Sequence, residues 1–402
     1  MRILYFSAGF GPHDHRFLTA LARPDHTVHF LRLGDKSAPM EDLPVPAEIE
    51  QVRWPGGRGA FRWRDVPRLV GDLKRVIRAV KPELIHAGPI QTCAFLSVLT
   101  GFHPVLSMSW GFDLMQDAER SAWWRWVTRY TLRHSTFFTS DARVTRDRAV
   151  AYGMQADRTR VFPWGVDLDR FRPQYPRRKP TRVSGRKRAA SVRAVARPHS
   201  SPEPFVLLCN RSWEPRYGVN VLAGAFVEAA RRDRSLSLVL LGSGSLAQSI
   251  RAILAEGGEI DRVQFGGYVA QADLPRWYHL ADLFVSPSHV DGSSVSLMEA
   301  LACGLPVLVS DIPANREWVR DGVNGWLYPD GEVGELAERI LDVARHRTHL
   351  GHIRRAARDT AKRRADWNKN FAILLGTYRK VLRLESEERV TASVTAHGVQ
   401  NP

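Results

Sequence analysis

Short, unbroken apolar runs alternate along this chain with longer stretches in which apolar residues recur at helical spacing. The runs Phe205 to Cys209, Ala281 to Val285 and Val307 to Ser310 are too continuous for strands with a wet face, so they predict parallel strands buried on both sides. The segment between the last two is then a βαβ crossover, its helix capped by Ser293 or Ser294 and stopped by Gly304 and Pro306. LVLLGSGSL predicts a strand ending in the small-residue turn Gly242, Ser243, Gly244, and ILYFSAGFGPHDHR a strand running into a glycine-containing loop. Helices are predicted from Arg62 to Lys81 and from Trp123 to Arg133. The alternation implies an α/β chain, and 402 residues exceed what one core usually supports, so two domains are expected.

Candidate chemistry gathers where these strands end. In SPSHVDGSSVSLMEALACG, Asp291 and Glu299 stand eight residues apart across a helix start, and the amides of Gly292, Ser293 and Ser294 are free donors for phosphate or sugar oxygens. Ligands of such crossovers bind outside the carboxyl ends of the strands. From the residues alone, a solvated loop acid and a salt-bridged helix acid fit the same positions. Arg211 directly follows the Phe205 to Cys209 run, and Arg216 lies five residues further on.

DGSSVSLMEALACGLPVLVSDIPANREWVRDGVNGWLYP resembles the donor-site signature of the retaining GT-B glycosyltransferases, the family 4-like, group 1 glycosyl transferases that include sucrose and glycogen synthase relatives and bacterial cell-surface polysaccharide enzymes. Further segments follow in the family's order over roughly residues 2 to 380. ELIHAGP and VLSMSWGFDL resemble the fourth and fifth strands of the first domain, which places Trp110, Gly111 and Asp113 at its cleft. RVFPWGVDLDRFRP resembles the last strand of that domain and its exit; its DLD, Asp167 to Asp169, therefore does not read as a metal-binding DxD.

The resemblance implies a GT-B fold, two Rossmann-like doubly wound domains facing a central cleft. It implies that Asp291 and the Gly292, Ser293 and Ser294 amides hold the transferred sugar, Glu299 the ribose hydroxyls, and Arg211 and Arg216 the diphosphate. Here Asp stands for the family's usual Glu at 291, and Arg for its usual Lys at 216. It also makes Tyr268 and Val269 base contacts, core packing being the alternative for Val269; the small-residue turn at Gly242 and Gly244 is, from the residues themselves, a place where backbone can approach a nucleotide. Gly11 with His13, Asp14, His15 and Arg16 would meet the acceptor, or form a polar surface loop.

The expected arrangement is an acceptor-binding domain at 1–173, a basic interdomain loop at 174–204, a donor-binding domain at 205–360, a helix crossing back at 361–384 and a flexible tail at 385–402. The expected reaction is hexose transfer from a nucleoside-diphosphate sugar to a hydroxyl of a saccharide or lipid-linked acceptor, with retention. Two arginines beside the departing diphosphate do the work of a divalent ion, so neither metal nor other cofactor is expected. The histidines show no HxxxH or HExxH spacing.

A formal charge of +16 widens the field of partners. Residues 174–204 hold nine Lys or Arg against one Glu, which is half of the excess. Arginine interleaved with tryptophan in the two predicted helices suits an anionic membrane surface. Yet 50 of the 58 basic residues are Arg, a skew that base composition also produces. No 18-residue apolar stretch or signal peptide is read, and Cys93, Cys209 and Cys303 suit buried thiols in a reducing compartment, so the expected location is cytoplasmic, with peripheral contact at the inner membrane face. The alternatives are a nucleotide-sugar epimerase of GT-B plan, a phosphorylase, which would need a cofactor-bearing Lys, and a noncatalytic nucleic-acid binder, which would leave the ordered donor motifs unexplained.

Overall fold

The computed structural model describes residues 1–34, 44–58, 61–174 and 203–397. The chain divides into two compact units, Met1–Phe162 with Phe371–Pro402, and Pro163–Asn370.

The first unit is built on a seven-stranded, wholly parallel sheet of β1 (Arg2–Ser7), β2 (Thr27–Arg32), β3 (Glu50–Val52), β4 (Leu84–Gly88), β5 (Val105–Met108), β6 (Phe137–Ser140) and β7 (Thr159–Val161), in the order β3-β2-β1-β4-β5-β6-β7. The second has six strands, β8 (Phe205–Cys209), β9 (Leu236–Leu241), β10 (Val263–Gly267), β11 (Leu283–Ser286), β12 (Val307–Ser310) and β13 (Trp326–Tyr328), also all parallel, in the order β10-β9-β8-β11-β12-β13. Both are doubly wound Rossmann-like sheets. Each reverses its strand order once, at β1/β4 and at β8/β11, where the loops diverge and leave a crevice at the carboxyl ends.

The continuous apolar runs have a direct structural cause in the second unit. Phe205, Leu207, Cys209, Leu283 and Val285 point into one core, whereas Leu208, Val239, Leu241, Phe284, Val307 and Val309 point into another on the opposite face. Alternate residues of one strand feed different cores, so every position must be apolar.

Boundaries differ from the sequence expectation in three places. Residues 163–173 fall in the second unit rather than the first. One side chain accounts for much of this: Arg358 donates to the carbonyls of Leu168 (3.1 Å), Phe171 (2.8 Å) and Ala302 (2.7 Å), tying the strand exit to the second unit. The single helix expected at 361–384 is two helices, Gly351–Arg364 and Trp367–His397, and helix continues through much of the segment expected as a tail. From Phe371 onward this helix groups with the first unit, where Tyr378 meets buried His86 of β4 at 2.6 Å. Burial lowers the His86 pKa to about 3, so the ring is neutral. The basic loop expected at 174–204 lies almost wholly outside the described residues. Among the described residues, no helix is long and apolar enough to cross a membrane.

Candidate functional site

In the second unit the site grows from the ends of β8 and β11, the pair that flanks the reversal of strand order. Arg211 leaves β8 two residues past its end, and its guanidinium turns toward the β11 loop. There Nη2 meets Asp291 Oδ2 at 2.6 Å, and Nη1 donates to Ser294 Oγ at 2.8 Å and Ser296 Oγ at 3.1 Å. Tyr217 supplies a ring 4.4 Å from the guanidinium carbon. Both members of the ion pair are largely withdrawn from water, with side-chain exposures of 11% and 16%. Burial pushes the Asp291 carboxyl above its ordinary range, and Arg211 and the Gly292 N–H pull it back down. The residues assigned to the sugar and to the diphosphate are thus one hydrogen-bonded unit.

Two short-range rules set the helix that carries Glu299. Ser294 is its N-cap, accepting from Leu297 N at 3.4 Å, and Gly304, at φ 64°, follows its end. Ser293 accepts instead from Trp318 Nε1 at 3.0 Å, which fixes the loop from the other side. Glu299 is buried and accepts from the Tyr278 hydroxyl at 2.7 Å; that hydroxyl accepts from Asn210 Nδ2 at 2.8 Å. Burial and the neighbouring Glu299 raise the Tyr278 pKa well above its usual value, so the phenol keeps the proton it shares with the carboxylate. Tyr278, Asn210 and Ser296 were not legible as site residues. Tyr278 sits on the short helix Leu274–Leu280, and nothing in the spacing of that segment relates it to Glu299.

The loop carrying Arg216 is anchored through its backbone: His289 N donates to Arg216 O at 2.9 Å, and His289 pairs with Asp330 at 2.7 Å. Gly218 makes this fit possible, because a Cβ at its φ of 59° would stand 2.1 Å from the Pro287 carbonyl oxygen. Gly242 and Gly244 were expected to admit the nucleotide. The structure places against them the chain's own backbone: a Cβ on Gly244 would lie 2.5 Å from the Trp213 carbonyl, and Ser243 O accepts from Trp213 N at 2.9 Å. Their smallness is used for holding the Arg211 loop. Tyr268 is 51% exposed, and Val269 is half-buried against the core.

In the first unit the loops after β1 and β5 approach one another, with the rings of His13 and Trp110 6.0 Å apart. Gly11 caps the Pro12–Leu21 helix, in which His13, His15 and Arg16 are half-buried; the His15 ring lies 6.2 Å from that of Phe10. Two acids expected to face ligands are spent internally. Asp14 accepts from Gly11 N at 2.9 Å and the Tyr5 hydroxyl at 3.1 Å. Asp113, fully buried, accepts from Ile90 N, Trp110 N, Leu114 N and the Ser109 hydroxyl, and so shapes the Trp110–Gly111 loop. An acid near a strand end satisfies loop amides as readily as ligand hydroxyls, and these two accept from amides of the chain itself. Burial pushes both carboxyls up to about 6. The Asp167 of the DLD triplet caps its own turn, accepting from Asp169 N and Arg170 N. Among the described residues, no group of three or more His, Cys, Asp or Glu is placed to hold a metal ion.

Comparison with known proteins agrees with this architecture. Residues 9–170 match the model of Glycosyltransferase Family 4, and residues 203–346 that of Glycosyl transferases group 1. A GDP-mannose-dependent alpha-(1-6)-phosphatidylinositol monomannoside mannosyltransferase of Mycobacterium tuberculosis is 29% identical over 268 residues, 64% of this chain and 64% of that protein. A D-inositol 3-phosphate glycosyltransferase of Xylanimonas cellulosilytica is 31% identical over 61% of this chain and 58% of its own length. The aligned part of the chain therefore spans less than two thirds of these relatives. Anabaena HepE, solved in complex with UDP-glucose, superposes with a TM-score of 0.73 over 94% of this chain and 100% of its own, at 19% identity, a likeness of fold. The two matched domains lie in family order on two Rossmann-like sheets, and the chain belongs to the group 1, family 4 glycosyltransferases of GT-B fold.

Proposed function

We propose that this protein transfers a hexose from a nucleoside-diphosphate sugar to a hydroxyl of a saccharide or lipid-linked acceptor, with retention at the anomeric carbon and without a metal ion. The observation that carries the reading is the Arg211, Asp291, Ser294 and Ser296 cluster at the β8/β11 crevice. A buried guanidinium fixed by three oxygens is preorganised for a diphosphate, which it can bind with little rearrangement. The M. tuberculosis relative is named for GDP-mannose and for phosphatidylinositol monomannoside, and HepE was crystallised with UDP-glucose, so both support the substrate class.

In the proposed reaction the bond between the anomeric carbon and the diphosphate oxygen breaks, and Arg211 and Arg216 stabilise the charge left on that oxygen. The acceptor hydroxyl attacks the same face, its oxygen bonds to the anomeric carbon, and its proton passes to the departing diphosphate. Glu299 orients the ribose hydroxyls. Asp291, held by Arg211, keeps a carboxylate oxygen toward the sugar. The noncatalytic nucleic-acid reading is set aside, because glycosyltransferase domains already account for both sheets and for the donor cluster.

Incubation with a panel of nucleoside-diphosphate sugars, with the anomeric configuration of the product read by NMR, tests donor and stereochemistry together. An inverted product would end the retaining proposal. Transfer should persist undiminished in EDTA; activity lost on chelation and restored by Mg²⁺ or Mn²⁺ would show that the two arginines do not replace a metal.

Tyr278→Phe probes the support beneath Glu299. It removes the donor to Glu299 and the acceptor for Asn210, so the donor KM should rise about five- to tenfold, the equivalent of about 1–1.4 kcal/mol, one typical intramolecular hydrogen bond. Because the phenol touches no reacting atom, kcat should change little. A variant with a lowered kcat and an unchanged donor KM would place Tyr278 outside donor binding.

A further inference from the structure

We propose that the exposed aromatic face of the Ala122–His134 helix, extended by Trp63, is the surface by which this protein rests on an anionic phospholipid bilayer. The proposal uses residues outside the donor site, so it stands or falls apart from the transferase reading.

The helix sequence AWWRWVTRYTLRH carries two apolar stripes. One is the core face, with Val127, Thr128, Thr131 and Leu132 buried. The other places Trp123, Trp126, Tyr130 and His134 at i, i+3, i+7 and i+11, which also share one side of a helix. This second stripe faces water: Trp123 and Trp126 are each 48% exposed, two of only four large exposed hydrophobic residues among those described. Their rings stack at 5.0 Å, and the stack continues from Trp126 to Tyr130 at 5.3 Å and from Tyr130 to His134 at 4.0 Å. Trp63 abuts Trp123 at 5.5 Å, with Phe61 beside it at 5.0 Å, and buried Phe95 lies against Trp126 and Tyr130 from within. A contiguous patch of this kind is unfavourable in water and favourable at a boundary between water and hydrocarbon.

Charge selects the partner. Exposed Arg129 and Arg133 leave the same helix beside the stripe, Arg120 and half-buried Arg125 flank its start, and exposed Arg62, Arg64 and Arg68 lie within five residues of Trp63 along the chain. The acids nearby are Asp65, Asp117 and Glu119, and Glu119 is already held by Arg125, Arg148 and Tyr152. A basic rim around indole rings fits phosphate headgroups over an acyl layer. It does not fit a second copy of this chain, which would bring like charges together across a twofold contact. Nor does it favour a sugar stacked on an aromatic face, since the stacked rings already cover one another's faces. The Val66–Val80 helix, equally rich in basic residues, is different: Leu69, Leu73, Val76 and Val80 bury its apolar side in the core.

The test is flotation of the full chain with vesicles of phosphatidylcholine alone and of phosphatidylcholine mixed with phosphatidylglycerol. The parent chain should float with the anionic vesicles, less with the neutral ones, and less at raised salt. The double variant Trp123→Ser, Trp126→Ser should reduce the bound fraction on the order of tenfold, with the thermal midpoint and turnover on a soluble acceptor unchanged. Arg129→Gln with Arg133→Gln leaves the stack intact, should also weaken binding, and should flatten its salt dependence; it keeps the test decisive if the serine variant folds poorly. Equal flotation of parent and variants would overturn the proposal, since the basic segment at 174–204 would then be sufficient. Absence of parent flotation, or a parent dimer that the serine variant makes monomeric, would overturn it as well.

Discussion

Arg211→Ala is expected to lower kcat by about two to three orders of magnitude while changing the donor KM far less. In the proposed reaction the arginine's charge matters most as the diphosphate departs, so its loss should weigh on the transition state more than on the bound donor. Removing it also leaves Asp291 as a buried carboxylate without its cation and takes a donor from both Ser294 and Ser296. Lysine at 211 should recover only part of the loss, because an ammonium cannot reproduce the fork that spans Asp291 and the two hydroxyls. The ion pair adds a sharper expectation. If Asp291 acts largely by holding Arg211, Asp291→Asn in the Arg211→Ala background should cost much less than in the parent, a coupling that a double-mutant cycle reads directly. Full additivity, or a kcat within threefold of the parent, would separate Arg211 from the chemistry.

Asp113→Ala should destabilise the fold by about 3–5 kcal/mol, measured by urea unfolding, since Ile90 N, Trp110 N and the Ser109 hydroxyl lose this acceptor at once and Leu114 N keeps only Gly111 O. Asp113→Asn keeps the shape and gives the effect a pH signature. Burial pushes Asp113 up to about 6, as it does Asp14, from an ordinary value near ~3.9. Between about pH 4 and 6 the folded chain therefore holds protons that the unfolded chain has released, and stability falls as pH rises through that window. The asparagine variant lacks the Asp113 share of that dependence. Its deficit relative to the parent should thus be larger by roughly 2 kcal/mol at about pH 4.5 than at pH 7. A deficit that is constant with pH would mean that the folded-state carboxyl titrates in the ordinary range.

Much of the scaffold was legible from the chain because the relevant interactions are local. A short apolar run bounded by polar or turn residues fits a strand covered on both faces, so the ends of β8, β11 and β12, and with them Arg211 and the Asp291 loop, followed from the pattern. Ser294 as the cap and Gly304 as the stop of the Glu299 helix rest on hydrogen bonds and a dihedral within a few residues. The resemblance then supplied roles that periodicity cannot.

What the sequence left undecided are choices among distant partners. Arg211 meets Asp291 80 positions away, Tyr278 reaches Glu299 21 positions on, and Arg358 gathers carbonyls up to 190 positions back. An acid at a strand end has the same composition whether it faces a ligand or its own loop; only the packed backbone around Asp14 and Asp113 shows that amides took both. Likewise, tryptophan at helical spacing looks alike in a core and on a surface. The Ala122–His134 helix could bury one stripe only, because a helix offers the sheet a single face, and Val127, Thr128, Thr131 and Leu132 occupied it. The periodicity of Trp123, Trp126 and Tyr130 was fixed by the sequence, and their exposure by which side of that helix the core took.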